Sequence, residues 1–139
     1  MKKRVPIADI MTKEVLTLSI KDDLVTAENV FKKNKIRHIP ITSGEHIIGM
    51  LSYTDLLRIS FADAYGENEL EVDTTVYNMF KIEQVMVKNV ITVSPKDTIQ
   101  EVATLLAKKE FHALPVVDNN KLVGIVTTTD LINYLLEQY

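Results

Sequence analysis

Apolar residues along the chain switch between strand-like alternation and helical spacing in a fixed order, and that order occurs twice. Val15–Ser19 (VLTLS) and Val90–Ser94 (VITVS) are short runs rich in β-branched residues, which predict strands. Asp22 and Asp97 follow at positions expected of helix N-caps, where a carboxylate satisfies free backbone N–H groups. Behind them Leu24, Ala27, Val30 and Phe31 fall on one helical face, as do Ile99, Val102, Leu105 and Leu106. HIPIT and ALPVV return to strand character, and the turns SGE and DNN supply residues tolerant of positive φ. IIGMLS and LVGIVT complete two hairpins, each with a glycine where a side chain would crowd something. The stretches DLLRISFA and DLINYLL read as closing helices. The predicted order is β-α-β-β-α, twice.

An offset of 75 residues aligns Ile7–Leu57 with Ile82–Ile132 without a gap, giving 14 identities in 51 positions. Most other pairs exchange one aliphatic residue for another. A constant offset through every turn means equal element lengths, so the chain is a duplicated fold. The division expected is a first repeat over 1–60, an acidic linker over 61–80 and a second repeat over 81–139. The linker's first residues continue the helix from Asp55. YGENELEVD then reads as a solvated acidic loop, with Val76, Tyr77 and Phe80 re-entering the core; a helical arm or a partner-facing loop is the alternative.

Composition removes several alternatives. At 139 residues, 46% hydrophobic and 25% charged, the chain suits one compact domain or two small halves sharing a core. With no cysteine, neither a disulfide framework nor a thiolate metal site is available. His38, His46 and His112 lack metal-ligand spacing, so no metal is expected. The basic start MKKRV is followed by Asp9, Lys13 and Glu14, which interrupt any signal sequence. No run approaches the roughly 18 apolar residues of a membrane span, so a soluble, cytoplasmic protein is expected. The net charge of −3 argues against a nucleic-acid partner. Its distribution is uneven: +2 over 1–57, −4 over 58–80 and −1 over 81–139. Walker, G-x-G-x-x-G and H-E-x-x-H signatures are absent, and no hydrolase triad has a supporting motif, so catalysis is not expected.

The candidate chemistry lies in GMLSYTDLL (49–57) and GIVTTTDLI (124–132). Each runs strand, hydroxyl, two residues, aspartate, helix. A carboxylate matches a ribose diol, accepting one hydrogen bond from each hydroxyl. Hydroxyls, helix N-terminal N–H groups and a cation match phosphate. Ser52 with Asp55, and Thr127 with Asp130, have that spacing. The same spacing also serves plain helix capping, which needs no ligand.

The ordered segments IMTKEVLTL, IRHIPIT and IIGMLSYTDLL, and their partners VMVKNVITVSPKD, FHALPVVDNN and KLVGIVTTTDLI, resemble a tandem pair of CBS domains, a Bateman module. The resemblance covers nearly the whole chain apart from the linker. It implies an α+β fold of two β-α-β-β-α repeats packed sheet to sheet about a pseudo-twofold axis, standing alone. It also implies clefts holding adenosine-containing ligands and pairing of modules into a homodimer.

By this resemblance Asp55 and Asp130 hold ribose, while Ser52, Thr54, Thr127 and Thr129 lie near ribose or phosphate. Arg37, His38 and His112 face phosphate or are simply exposed turn positions, and Pro40 and Pro115, which follow them, are counted among the ligand-binding residues. Thr17 and Thr92 line an adenine slot or are ordinary sheet residues. Charge favours the first set for a polyphosphate, and the threonine-rich turn favours the second for any adenosine ligand, so both stay open. The function expected is a non-catalytic sensor of cellular energy or metabolites that binds AMP, ADP, ATP, NAD or S-adenosylmethionine. It needs no obligatory cofactor and signals to an unidentified regulated protein. The alternative is an adaptor with empty clefts that acts through protein contacts.

Overall fold

A computed structural model describes residues 4–62, 79–109 and 111–139. The loop expected over YGENELEVD, and the inward turn of Val76 and Tyr77, lie outside these residues. The chain forms two compact units, one from Leu16–Val90 and one from Met1–Val15 together with Ile91–Tyr139. They are called the first and second unit below. Each contains most of one repeat and the leading segment of the other.

In the first unit, β1 (Leu18–Ser19) leads to α1 (Leu24–Asn34), the hairpin β2 (His38–Ser43) and β3 (His46–Ser52), and α2 (Tyr53–Ala62). The sheet order is β1-β2-β3, with β1 parallel and β3 antiparallel to β2. Leu18, Leu24, Ala27, Phe31, Ile39, Ile41, Leu51 and Leu56 form the core. Ile82, fully buried, joins it from the short helix α3 (Ile82–Val85) in the second copy's leader. Phe80 also packs there, half-buried. Beyond α3, Val87 and Met50 exchange two backbone hydrogen bonds of 2.9 and 3.0 Å.

The second unit repeats this plan with α4 (Ile99–Lys109), β4 (Ala113–Asp118), β5 (Lys121–Thr127) and α5 (Thr128–Glu137). Its core is Val93, Val102, Leu106, Leu114, Val116 and Val126, with Ile7 from the first copy's leader. Thr12 and Ile125 exchange hydrogen bonds of 2.8 and 3.0 Å, as Val87 and Met50 do in the first unit. Both hairpins carry a bulge at the same place, between Ile41 and Thr42 and between Val116 and Val117. Gly44 has φ +63°, and Asn119 and Asn120 have φ +51° and +66°, the positive values that two-residue hairpin loops require.

Two expectations need correction. The strands expected over VLTLS and VITVS shrink to Leu18–Ser19 and to a single bridge from Val93 to Val116. Val15 still belongs to the second unit and Val90 to the first, so only the last residues of each run reach their own sheet. Asp22 and Asp97 are not the N-caps. Their carboxylates accept from the N–H groups of Ser19 (2.8 Å) and Ser94 (2.9 Å), bracing the turn before each helix. The caps are one residue later, where Asp23 Oδ1 accepts from Thr26 N–H (2.8 Å) and Thr98 Oγ1 from Glu101 N–H (3.1 Å).

Hydrogen bonding, first from the Thr26 side chain and then from its backbone, holds the Asp23 carboxyl below its ordinary pKa. A lowered pKa means the folded state favours the charged form, so the cap stabilises above the unfolded-state pKa. That contribution is lost as pH falls through the lowered folded-state value. Asp23→Ala is expected to cost about 0.5–2 kcal/mol at neutral pH. The gap from wild type should close in strong acid, which urea titrations at several pH values would measure. A pH-independent gap would assign the loss to something other than the charged cap.

Candidate ligand-binding sites

Each unit brings its own set of candidate residues to one end of its hairpin. In the first unit the N–H of Tyr53, opening α2, donates to Arg37 O at 2.8 Å. His38 pairs with Ser52 across β2 and β3. The Asp55 N–H donates to Ser52 Oγ at 3.0 Å, so the hydroxyl at the strand end caps the helix and sets the carboxylate in its first turn. Asp55 Oδ1 lies 3.7 Å from Arg58 Nη1, one turn along α2. Arg37, His38, Ser52 and Asp55 are thereby gathered. Thr54 is exposed on the first turn of α2, and Pro40 is buried two residues inside the strand, opposite Met50. Thr17 is exposed and immediately precedes Leu18, which pairs with Ile41.

The second unit matches this position by position. The Thr128 N–H donates to His112 O at 3.0 Å, and Ala113 pairs with Thr127. Here the capping box is complete: Asp130 N–H donates to Thr127 Oγ1 (3.2 Å), and Thr127 N–H donates to Asp130 Oδ2 (2.9 Å). Pro115 is buried opposite Ile125 and accepts from Val93 N–H at 3.1 Å. Thr92 and Thr129 are exposed.

The hydroxyl–aspartate pairs therefore do cap their helices. Capping engages one oxygen of Asp130 and fixes the carboxylate at a helix N-terminus, where oriented N–H groups also favour an anion. Both helices start two residues before the aspartate, which places that aspartate at the third helical position. Arg58 is the residue that sequence reasoning missed. Its signal was available, since residues three apart on a helix are neighbours. Tyr53, the bulky first residue of α2, packs its ring against Phe31 in a tilted arrangement, with centroids 5.4 Å apart and planes at 46°. Among the described residues, no group of three or more His, Asp or Glu side chains is placed to hold a metal. No helix among them is long and apolar enough to cross a membrane.

The model of the CBS domain family matches twice, over residues 7–62 and 82–137. The chain belongs to the CBS domain family. Its α+β fold is that of solved CBS pairs. The CBS domain pair of protein MJ0100, in complex with 5′-methylthioadenosine and S-adenosyl-L-methionine, is similar with a TM-score of 0.80 and 25% identity. That match covers 97% of this chain and 98% of the MJ0100 pair. The uncharacterized protein MJ1225 of Methanocaldococcus jannaschii is 26% identical over 130 residues, 92% of this chain. The homoserine O-acetyltransferase of Methanococcus vannielii is 32% identical over 129 residues, 91% of this chain. The CBS pair spans 46% of the former protein and 24% of the latter.

Proposed function

We propose that this CBS pair is a non-catalytic regulatory module that binds an adenosine-containing ligand at Asp55, at Asp130 or at both. The observation that carries this reading is the duplicated turn. Twice, a hairpin end delivers a hydroxyl that accepts the aspartate N–H, and a helix N-terminus carries that aspartate's carboxylate. A ribose diol suits that carboxylate, and the adenosine ligands of the MJ0100 pair share the ribose. The ligand is AMP, ADP, ATP, NAD or S-adenosylmethionine, sensed as a report on energy or metabolite supply. Arg37, His38 and His112 are placed for its 5′ substituent, and Thr17 and Thr92 for its base. The module works as a cytoplasmic homodimer that signals to a regulated protein. It does so to the extent that the ligand binds two conformations with different affinity.

Calorimetric titration of the five ligands into wild type, Asp55→Asn and Asp130→Asn tests this. Asparagine removes the charge and one acceptor at either site, and at residue 130 it keeps an oxygen for the hydrogen bond from Thr127 N–H. Losing a hydrogen bond to a charged group costs roughly 1.5–3 kcal/mol, so affinity should fall about tenfold to a hundredfold at the altered site. Unchanged affinities in both variants would reject the reading.

An adaptor role is the second reading, favoured by a specific feature of α5. Ile132, Leu135, Leu136 and Tyr139 are 56%, 46%, 63% and 97% exposed. The spacing of Ile132, Leu135 and Leu136 puts an apolar stripe along one side of this helix, and Tyr139 lies just beyond its end. A flat thermal response to every ligand, with binding to a partner abolished by Leu136→Glu, would favour it.

A further inference from the structure

The two turns share a backbone plan but differ in charge at each flanking position that could meet a ligand's 5′ end. Arg37 and His112 occupy one place, since each carbonyl accepts the N–H that opens the following helix. His38 in the first unit becomes Ala113 in the second. Arg58, 3.7 Å from the Asp55 carboxylate, becomes Asn133. At these three positions the first unit carries two arginines and a histidine, the second one histidine. Each set belongs to a turn that carries one aspartate, Asp55 or Asp130.

We infer that the two sites take different classes of adenosine ligand. The Asp55 site takes one with an anionic 5′-phosphate, and the Asp130 site takes one with a neutral or cationic 5′ substituent. Arg58 is the residue that sets this difference. The inference rests on the adenosine reading proposed above.

The Arg58 side chain is 77% exposed, and the one ion pair it makes among the described residues, with Asp55, is long, so that pair holds the guanidinium only weakly. It offsets the aspartate's charge before a ligand arrives. A planar guanidinium can then turn to a phosphate and bind two of its oxygens. Asp130 has asparagine at the matching position, so its carboxylate repels a nearby phosphate and attracts a cationic centre such as a sulfonium.

The test uses the full chain with one aspartate changed to asparagine, so that only one site remains intact. Adenosine, 5′-methylthioadenosine, AMP, ADP and S-adenosylmethionine are titrated into Asp130→Asn and Asp55→Asn. The Asp130→Asn variant, which retains the Asp55 site, should bind AMP at least tenfold more tightly than adenosine. The Asp55→Asn variant should lose that preference and rank S-adenosylmethionine above AMP. Adding Arg58→Asn to Asp130→Asn should weaken AMP about tenfold and leave adenosine within about twofold. That selectivity should also shrink as salt is raised, because an exposed charge interaction is screened. Adding Asn133→Arg to Asp55→Asn should restore a preference for AMP.

Equal losses of adenosine and AMP on Arg58→Asn would overturn the inference while leaving the adenosine reading intact. So would one ligand ranking at both sites. If wild type, with its native melting transition, binds no member of the series, the adenosine reading itself fails and takes this assignment with it.

Discussion

Ile82→Ala should loosen the unit built on the first copy, although Ile82 belongs to the second copy in the sequence. The side chain is fully buried among Leu18, Leu24, Phe31, Ile39 and Leu51. Removing three methyl or methylene carbons from such a site costs about 2–5 kcal/mol in lost transfer energy and unfilled volume. Native-state hydrogen exchange should show that cost in α1, β2 and β3, with β4 and β5 much less affected. Ile7→Ala should do the reverse. Ile7 is fully buried among Val93, Val102, Leu106, Leu114 and Val126, so α4, β4 and β5 should lose protection. The crossed pattern is the decisive feature. Loss of protection in the same copy as the substitution, for either variant, would contradict the exchange of leading segments.

That exchange is the part of the fold the sequence concealed. Periodicity exposes which residues of a segment are apolar, and Ile7 and Ile82 stand out equally in their two leaders. It does not say which core receives them, because the copies have the same apolar pattern and each leader would suit either. The hairpins were legible for the opposite reason. Gly44 and the Asn119–Asn120 pair are local signals, and their positive φ angles follow from the turn alone. At Lys35 the local signal failed: it ends α1 in the left-handed region at φ +54°, where glycine is the usual residue. The caps were displaced by one residue for a similar reason. Asp22 and Asp23 are both capable of capping, and Asp22 is drawn back to the Ser19 N–H.

The candidate sites were legible as motifs and only partly as geometry. Ser52 meets Asp55, and Thr127 meets Asp130, because hydroxyl, helix start and carboxylate lie within four residues, so local geometry fixes each pair. Arg37 and His112 reach the same turn only through cross-strand pairing, which the resemblance supplied and the residues' own spacing did not. Arg58 was visible as a helical neighbour of Asp55. It lies outside both the quoted motif and the aligned stretch, which is why motif matching passed over it.

Gly124→Ala should destabilise more persistently than Gly49→Ala, and the difference should emerge in double variants. A Cβ at Gly49 would overlap Met86 Sδ and lie 2.9 Å from its Cγ and 3.0 Å from its Cε, so its three nearest neighbours all belong to one flexible side chain. A Cβ at Gly124 would lie 2.6 Å from Met11 Sδ and 3.0 Å from its Cγ, and also 3.0 Å from the carbonyl oxygen of Thr12. That oxygen accepts the Ile125 N–H, while the Thr12 N–H donates to Ile125 O, so it cannot retreat without breaking the bridge that holds the leader. Overpacking of this kind typically costs about 1–3 kcal/mol, and each alanine variant should fall in that range. In a Met86→Ala background the cost of Gly49→Ala should nearly vanish. In a Met11→Ala background much of the cost of Gly124→Ala should remain, because the backbone obstruction is still present. Urea unfolding of the two cycles isolates these couplings. Equal rescue at both glycines would mean the Thr12 carbonyl moves freely, and the leader is then held by its buried isoleucine rather than by its backbone bridge.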